Sequence, residues 1–247
     1  MLYNFSMEKY TELYHSSHFS AVRRAVMSQD EMNHNKILSV LTLFSTFLMG
    51  FIDAYTFITQ DGLFASAQTG NIVVMSAKLF SGSPLEAIAH LSSFIGFAIG
   101  AFLAQGMVER FKEYDWRKYR TFLFLQVIFL FIVALVQQNI GASLIGFLLG
   151  LLAGYELTVF RKIKSTDINN GIMTGNTKNL MNNLYLAIFH KNKESLATFF
   201  TLLIGIGVFM LGAGAGAFVL LFGTEWNLWT AFFLNVIFYV WLLIKKD

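Results

Sequence analysis

Long uncharged apolar runs, separated by short polar breaks, account for most of this chain. From Ile37 to Gln60 the only charged residue is Asp53, and from Ala87 to Val108 there is none, His90 being the one ionisable side chain. Thr121 to Tyr155 is also uncharged but too long for one crossing, and Gln137-Gln138-Asn139 divides it in two. Ser195–Thr224 and Trp226–Ile244 complete the set. A hydrocarbon layer about 30 Å thick takes about 20 apolar residues of helix to cross. The pattern therefore predicts six transmembrane helices, over about 38–59, 87–108, 121–137, 140–160, 196–222 and 227–244. Trp116, Trp226, Trp229 and Trp241 fall near span ends, where an amphipathic ring belongs.

Two weaker apolar stretches, 62–80 and 168–189, each carry the same tripeptide: Thr69-Gly70-Asn71 in the first and Thr174-Gly175-Asn176 in the second. The distribution of basic residues decides whether they cross. Arg110, Lys112, Arg117, Lys118 and Arg120 lie in one loop, Arg161, Lys162 and Lys164 in another, and Lys245-Lys246 near the end. If neither stretch crosses, all three groups and the N-terminus face the cytoplasm, and the base-free turns at 137–139 and 223–226 face outward. Lys78 is the one outward lysine. The expectation is two re-entrant half-helices, each opened by Thr-Gly-Asn, with both termini cytoplasmic. Glycine tolerates a break in the helix, and Thr and Asn side chains are suited to capping the helix that follows.

Composition sharpens the class. Of 247 residues, 55% are hydrophobic and 13% charged, and 27 are Phe. A soluble domain carries about 25% charged residues, so the chain is an integral membrane protein with the lipid bilayer as its first partner. The absence of cysteine excludes disulfides, thiolate metal sites and thiol catalysis. A net charge of +3 with no large basic cluster excludes nucleic acid. Residues 1–36 contain no apolar signal core and are expected to be a cytoplasmic N-terminal tail. Residues 37–137 and 138–247 form two membrane repeats, the second ending in a short cytoplasmic C-terminus.

The repeat is visible as an ordered series: Asp53, Thr69-Gly70-Asn71, then Gly96 to Phe102; and Glu156, Thr174-Gly175-Asn176, then Gly212 to Phe218. Three full spans per copy is an odd number, which inverts the second copy relative to the first, an architecture shared by many transporters. The fold class expected is an all-α membrane protein of six transmembrane helices plus two half-helices, arranged as two inverted three-span repeats. Gly50-x-x-Asp53-Ala54 followed by Gln68-Thr69-Gly70-Asn71, with Gly154 and Thr174-Gly175-Asn176 in the second half, resembles the YoaK-like family of bacterial membrane proteins, a domain family of unknown function. The resemblance covers about residues 38–244. It implies a bacterial inner-membrane protein, loosely regarded as a small-molecule permease, and supplies no substrate. Where the family pattern has Gln-Asn after the second-half glycine, this chain has Glu156-Leu157. The resemblance therefore implies no role for Glu156.

Ionisable groups within a span are costly and face a cavity or a partner. Asp53 is accordingly the candidate proton site, expected to line a polar pathway with Thr69, Gly70, Asn71, Thr174, Gly175 and Asn176; pairing with Lys78 is its structural alternative. Glu156 joins this set, with an ion pair to Arg161 or Lys162 as the competing expectation. Lys178 is placed either at a half-helix tip, where it meets an anionic solute or Asp53, or snorkelling at the surface. His90 is expected to be interfacial or hydrogen-bonded. Gly146, Gly150 and Gly154 recur along one helix face, and Gly96/Gly100 and Gly212/Gly216 form Gly-x-x-x-Gly pairs, a pattern that lets helices approach closely within the chain or in a homodimer. No nucleotide, zinc-protease or serine-hydrolase motif is present, and no catalytic residue, metal or cofactor is expected. The function expected is a small-solute permease or channel, proton-coupled through Asp53. The alternatives are a structural or regulatory membrane protein and, third, an intramembrane enzyme.

The natural lack of cysteine makes the topology directly measurable. Single cysteines at Asn139 and Thr224 should react with an impermeant thiol reagent on intact cells. One at Lys164 should react only after permeabilisation, and external labelling there contradicts the topology.

Overall fold

The computed structural model describes residues 32, 34–111 and 116–245. Residues 1–31 of the expected tail, and Lys112 and Lys246 of the basic groups, lie outside the described residues. The remainder forms α1 (His34–Thr59), α2 (Gln68–Phe80), α3 (Pro84–Arg110), α4 (Trp116–Val136) and α5 (Ala142–Val159). The hairpin β1 (Lys162–Ile163) and β2 (Thr166–Asp167) follows, then α6 (Met173–Phe189), α7 (Lys193–Leu220) and α8 (Glu225–Ile244). Six of these helices, all except α2 and α6, are long and apolar enough to cross a membrane. They coincide with the six runs read from the sequence, and their ends use ordinary chemistry. Pro84 opens α3, where a missing N–H is no loss. The Asn192 side chain caps α7 by accepting from Glu194 N and Ser195 N at 2.9 and 3.1 Å.

The two remaining helices are shorter. α2 has 13 residues and α6 has 17, about 20 and 26 Å at 1.5 Å per residue. The Thr-Gly-Asn tripeptides do not interrupt them. Each tripeptide lies in the first turn of its helix, and the non-helical backbone comes before it, in residues 60–67 and 160–172. Neither helix has a side-chain hydrogen bond at its N-cap, so the capping expected of Thr and Asn is corrected. The second loop is the longer by the hairpin, whose register pairs Lys162 with Asp167 and Ile163 with Thr166.

Residues of α1, α4, α5 and α8 meet in one core that includes Leu48, Phe51, Leu130, Leu149, Leu152 and Leu228. α1 is the most enclosed of the long helices, whereas side chains such as Phe102, Phe200, Ile204 and Leu211 point outward, as a lipid-facing surface requires. Because lipid tails are as apolar as leucine, close backbone approach and van der Waals contact must hold such helices together. Glycine supplies this in two matching places. A Cβ on Gly96 would overlap the carbonyl oxygen of Phe147, and one on Gly100 that of Leu151; a Cβ on Gly212 would overlap the carbonyl oxygen of Phe47, and one on Gly216 that of Phe51. α3 thus meets α5 as α7 meets α1. Gly150 and Gly154 complete the first contact against the carbonyls of Ser93 and Phe97, and Gly146 lies beside Ala89 O.

These contacts set a register in which Phe47 answers Phe147 and Phe51 answers Leu151. Asp53 then answers Ala153, and Glu156 answers Thr56. The two acids are not equivalent positions; they sit about one helical turn apart in the two halves. Lys78 pairs with Asp61 and, at 3.4 Å, with Glu86. It is therefore not the partner of Asp53. Its hydrogen bond and charge hold the Asp61 carboxyl below the usual carboxylate range.

A methyl at Gly100 has only backbone to displace. Gly100→Ala should cost about 1–3 kcal/mol of overpacking. Gly214→Ala, inside α7 with nothing within 4 Å of its Cβ, should not destabilise and should gain up to about 1 kcal/mol of helix propensity. Thermal unfolding midpoints in detergent compare the two.

Candidate functional site: a polar junction between two loops

α1 carries its polar residues on the buried side. Thr42, Ser45, Thr46, Asp53 and Thr56 are all buried along it. Thr46 and Thr56 return their hydroxyls to the helix's own carbonyls, Thr42 O and Ile52 O. Ser45 and Asp53 reach outward instead, each to one of the non-helical loops.

Asp53 organises the first loop. Its Oδ1 accepts Ala65 N at 2.8 Å and Ser66 N at 2.9 Å, and Ser66 Oγ meets its Oδ2. The same Ser66 Oγ lies 2.9 Å from the carbonyl oxygen of Gly171 in the second loop. A Cβ at Gly171 would overlap the Ser66 side chain, so glycine is what allows the two loops to touch. Ser66 and Gly171 are 105 positions apart, the same separation as the two Thr-Gly-Asn motifs. The loops meet through equivalent residues.

The asparagines of the tripeptides hold the loops from the helix side. Asn71 Oδ1 accepts Phe64 N at 3.0 Å, and its Nδ2 donates to Phe64 O at 2.6 Å. Asn176 repeats this geometry: Oδ1 accepts Asn169 N at 3.1 Å and Nδ2 donates to Asn169 O at 2.7 Å. Each amide mimics a peptide and satisfies both polar groups of a residue seven positions earlier. Around Asn71 the network continues. Its Nδ2 donates to Gln68 Oε1 and Ser93 Oγ, and His90 Nδ1, buried, lies 3.3 Å from its Oδ1. His90 is therefore a hydrogen-bonded histidine, its proton on Nδ1 in this arrangement. Around Asn176 the corresponding contact is with Met173 Sδ at 3.7 Å, so the first half is the more polar.

Glu156 is fully buried in α5 and has no cationic partner among the described residues. The expected pair with Arg161 or Lys162 is corrected, since both of those are exposed. Ser45 donates to Glu156 Oε2, and Asn170 Nδ2 donates to Ser45 Oγ and reaches Glu156 O at 3.4 Å. Asn170 precedes Gly171, so both acids act on the same loop junction. Ser45 and Asp53 are separated by two helical turns of α1, about 12 Å at 1.5 Å per residue, too far for the acids to share a proton.

Thr69, Thr174 and Lys178 are exposed, while Gly70 and Gly175 are half-buried. A cavity of about 390 Å³ brings Asp53 and Thr174 together with Phe57, Phe64, Gly171 and Phe209. A second, of about 540 Å³, is lined by Gln105, Thr158, Arg161, Lys162, Asp167 and Asn169. Phe57 and Phe64 of the first cavity answer Leu157 and Asn169 of the second, so the pockets flank the junction in matching positions. Neither holds Thr69, Asn71, Asn176 or Lys178. Sequence reasoning missed Ser45, Ser66, Asn170 and Gly171. The available signal was the polar stripe of α1 and the two equivalent positions lying five residues before Asn71 and Asn176.

A six-span helical bundle with paired short helices and a buried polar junction defines a multi-pass membrane protein. The chain belongs to the family described as protein of unknown function (DUF1275), whose model matches residues 41–241. It is similar to the UPF0700 transmembrane protein YoaK of Bacillus subtilis (strain 168), with 23% identity over 185 residues, covering 73% of this chain and 80% of the relative. No solved structure matches.

Asn71→Ala strands the N–H of Phe64, whose C=O keeps the Ser93 hydroxyl at 3.0 Å, and should cost about 1–3 kcal/mol, the cost of one stranded buried group. Thr69→Ala, at an exposed position, should change stability by less than about 0.5 kcal/mol. Equal effects of the two variants on the unfolding midpoint contradict the assigned role of Asn71.

Proposed function

We propose that the protein is a permease or channel for a small solute in the cytoplasmic membrane, coupled to protons through Asp53. Six helices cross fully, and α2 and α6 enter from opposite faces and return, which leaves both termini in the cytoplasm. The halves are inverted repeats about an axis in the membrane plane. Three observations support that arrangement: the doubled glycine contacts, the odd number of long helices in each half, and the meeting of equivalent residues, Ser66 and Gly171, where such an axis would pass. Irregular backbone at membrane depth belongs beside a cavity or inside protein, and the two loops are flanked by the two cavities.

The observation that carries the coupling is the place of the Ser66 hydroxyl. It lies between two acceptors, Asp53 Oδ2 and Gly171 O, and has one proton to give. With Asp53 ionised, the hydroxyl turns to the carboxylate and the Gly171 carbonyl is released. With Asp53 protonated on Oδ2, the acid donates to Ser66 Oγ and Ser66 donates to Gly171 O, closing a chain between the halves. Oδ1 accepts the Ala65 and Ser66 N–H groups in both states. Protonation thus makes or breaks a link between two loops that border the cavities, which is the element a coupled carrier needs.

Proteoliposomes loaded with a pH-sensitive dye and challenged with amino acids, sugars and carboxylates test this. At least one solute class should drive a proton flux. Asp53→Asn, which keeps the shape and removes the ionisation, should abolish that flux while leaving folding intact. Uptake with unchanged pH dependence in the Asn variant makes Asp53 a structural staple. Absence of flux with every class contradicts the carrier.

A further inference from the structure

The polar centre around Glu156 has a chemistry that the junction does not use. Glu156 Oε1 and Asn170 Oδ1 are buried and have no hydrogen-bond partner. The Gln126 side chain of α4 lies beside the Glu156 carboxyl, with neither its oxygen nor its nitrogen in a hydrogen bond of ordinary geometry. With Ser45, these residues come from α1, α4, α5 and the loop before α6, so they converge on one point from four directions. What they leave open is mainly oxygen: one carboxylate oxygen and two amide oxygens, beside the Gln126 amide nitrogen.

We infer that Glu156, Asn170, Gln126 and Ser45 form a binding site for a sodium ion. Four features fit that ligand. A single carboxylate balances a single positive charge, and no cationic side chain competes for it among the described residues. Neutral oxygens of amides and hydroxyls are the ligands a hard cation takes. Glu156 lies in the last turn of α5 (Ala142–Val159), where the negative end of the helix dipole favours a cation. The unwound segment beside it is the kind of backbone that accompanies sodium in discontinuous-helix carriers. Asp53, by contrast, has its carboxylate surrounded by N–H and hydroxyl donors, an environment that repels a cation. The two acids therefore divide the work, Asp53 exchanging a proton and Glu156 holding sodium. The division of labour rests on the carrier reading, but the binding itself does not.

Binding to the folded state raises stability in proportion to occupancy, so the purified full chain in detergent is sufficient for the test. At pH 8 and constant ionic strength, sodium chloride replacing choline chloride should raise the unfolding midpoint along a saturating curve, and potassium chloride should do so at least tenfold less effectively. Glu156→Gln should abolish the sodium response. Asn170→Ala and Ser45→Ala keep the carboxylate and should shift the half-saturating sodium concentration upward by about tenfold. If Glu156→Gln does not fold, the Asn170 variant decides: an unchanged half-saturating concentration overturns the site. Equal responses to sodium, potassium and choline in the native chain also overturn it. A sodium response that survives alongside absent proton flux would sink the proton-coupled carrier and leave the site standing.

Discussion

Backbone that leaves a helix inside a bilayer has no water to turn to, and each stranded N–H or C=O costs several kcal/mol. Residues 60–67 and 160–172 contain buried non-helical backbone with the same need, at Leu63, Ala65, Ser66, Ile168, Asn170 and Gly171, and the architecture around them follows from it. Asp53 takes two consecutive N–H groups of the first loop. Asn71 and Asn176 each take both polar groups of one residue. Ser45 and Asn170 tie the second loop to α1 and to Glu156. α1 serves both loops, which explains why it is the most enclosed of the long helices and why its polar residues fall on its buried side.

The second constraint is distance. The loops can be served from α1 only if the helices around it come close, and glycine carbonyl contacts provide that approach twice, between α3 and α5 and between α7 and α1. The remaining pair, α4 and α8, is joined by larger side chains, with Phe131 against Trp229 and Phe232. The proposed cation site and proton-sensitive link are compatible in this frame because the two acids, though on one junction, sit in different surroundings: donors surround Asp53, and Glu156 keeps an unpartnered oxygen.

Much of this was legible in the chain. Hydropathy alone located the six long helices, because a span is a property of composition along one segment. The Thr-Gly-Asn pair located the two short helices and tied them to each other. Details that depend on three-dimensional partners were not legible. Thr-Gly-Asn looked like a break with a cap, yet the asparagine reaches backward by seven residues, a distance that only the folded loop shortens. Glu156 looked like the partner of Arg161 because they are neighbours in sequence. In the fold its carboxyl faces Ser45 and Asn170, which are far away along the chain. The acids looked equivalent because their order was kept, and only the glycine contacts show the register that separates them.

The central claim is that Asp53 exchanges a proton within the link between the two loops. Infrared difference spectra of the purified protein between acid and alkaline solution test it most directly, because the carbonyl stretch of a protonated carboxylic acid is separate from that of a carboxylate. The account predicts a protonated-acid band in the native chain that is lost on alkalinisation and missing from Asp53→Asn, together with a change in the amide carbonyl region from Gly171. Native and Asp53→Asn spectra that coincide throughout the titration would contradict it.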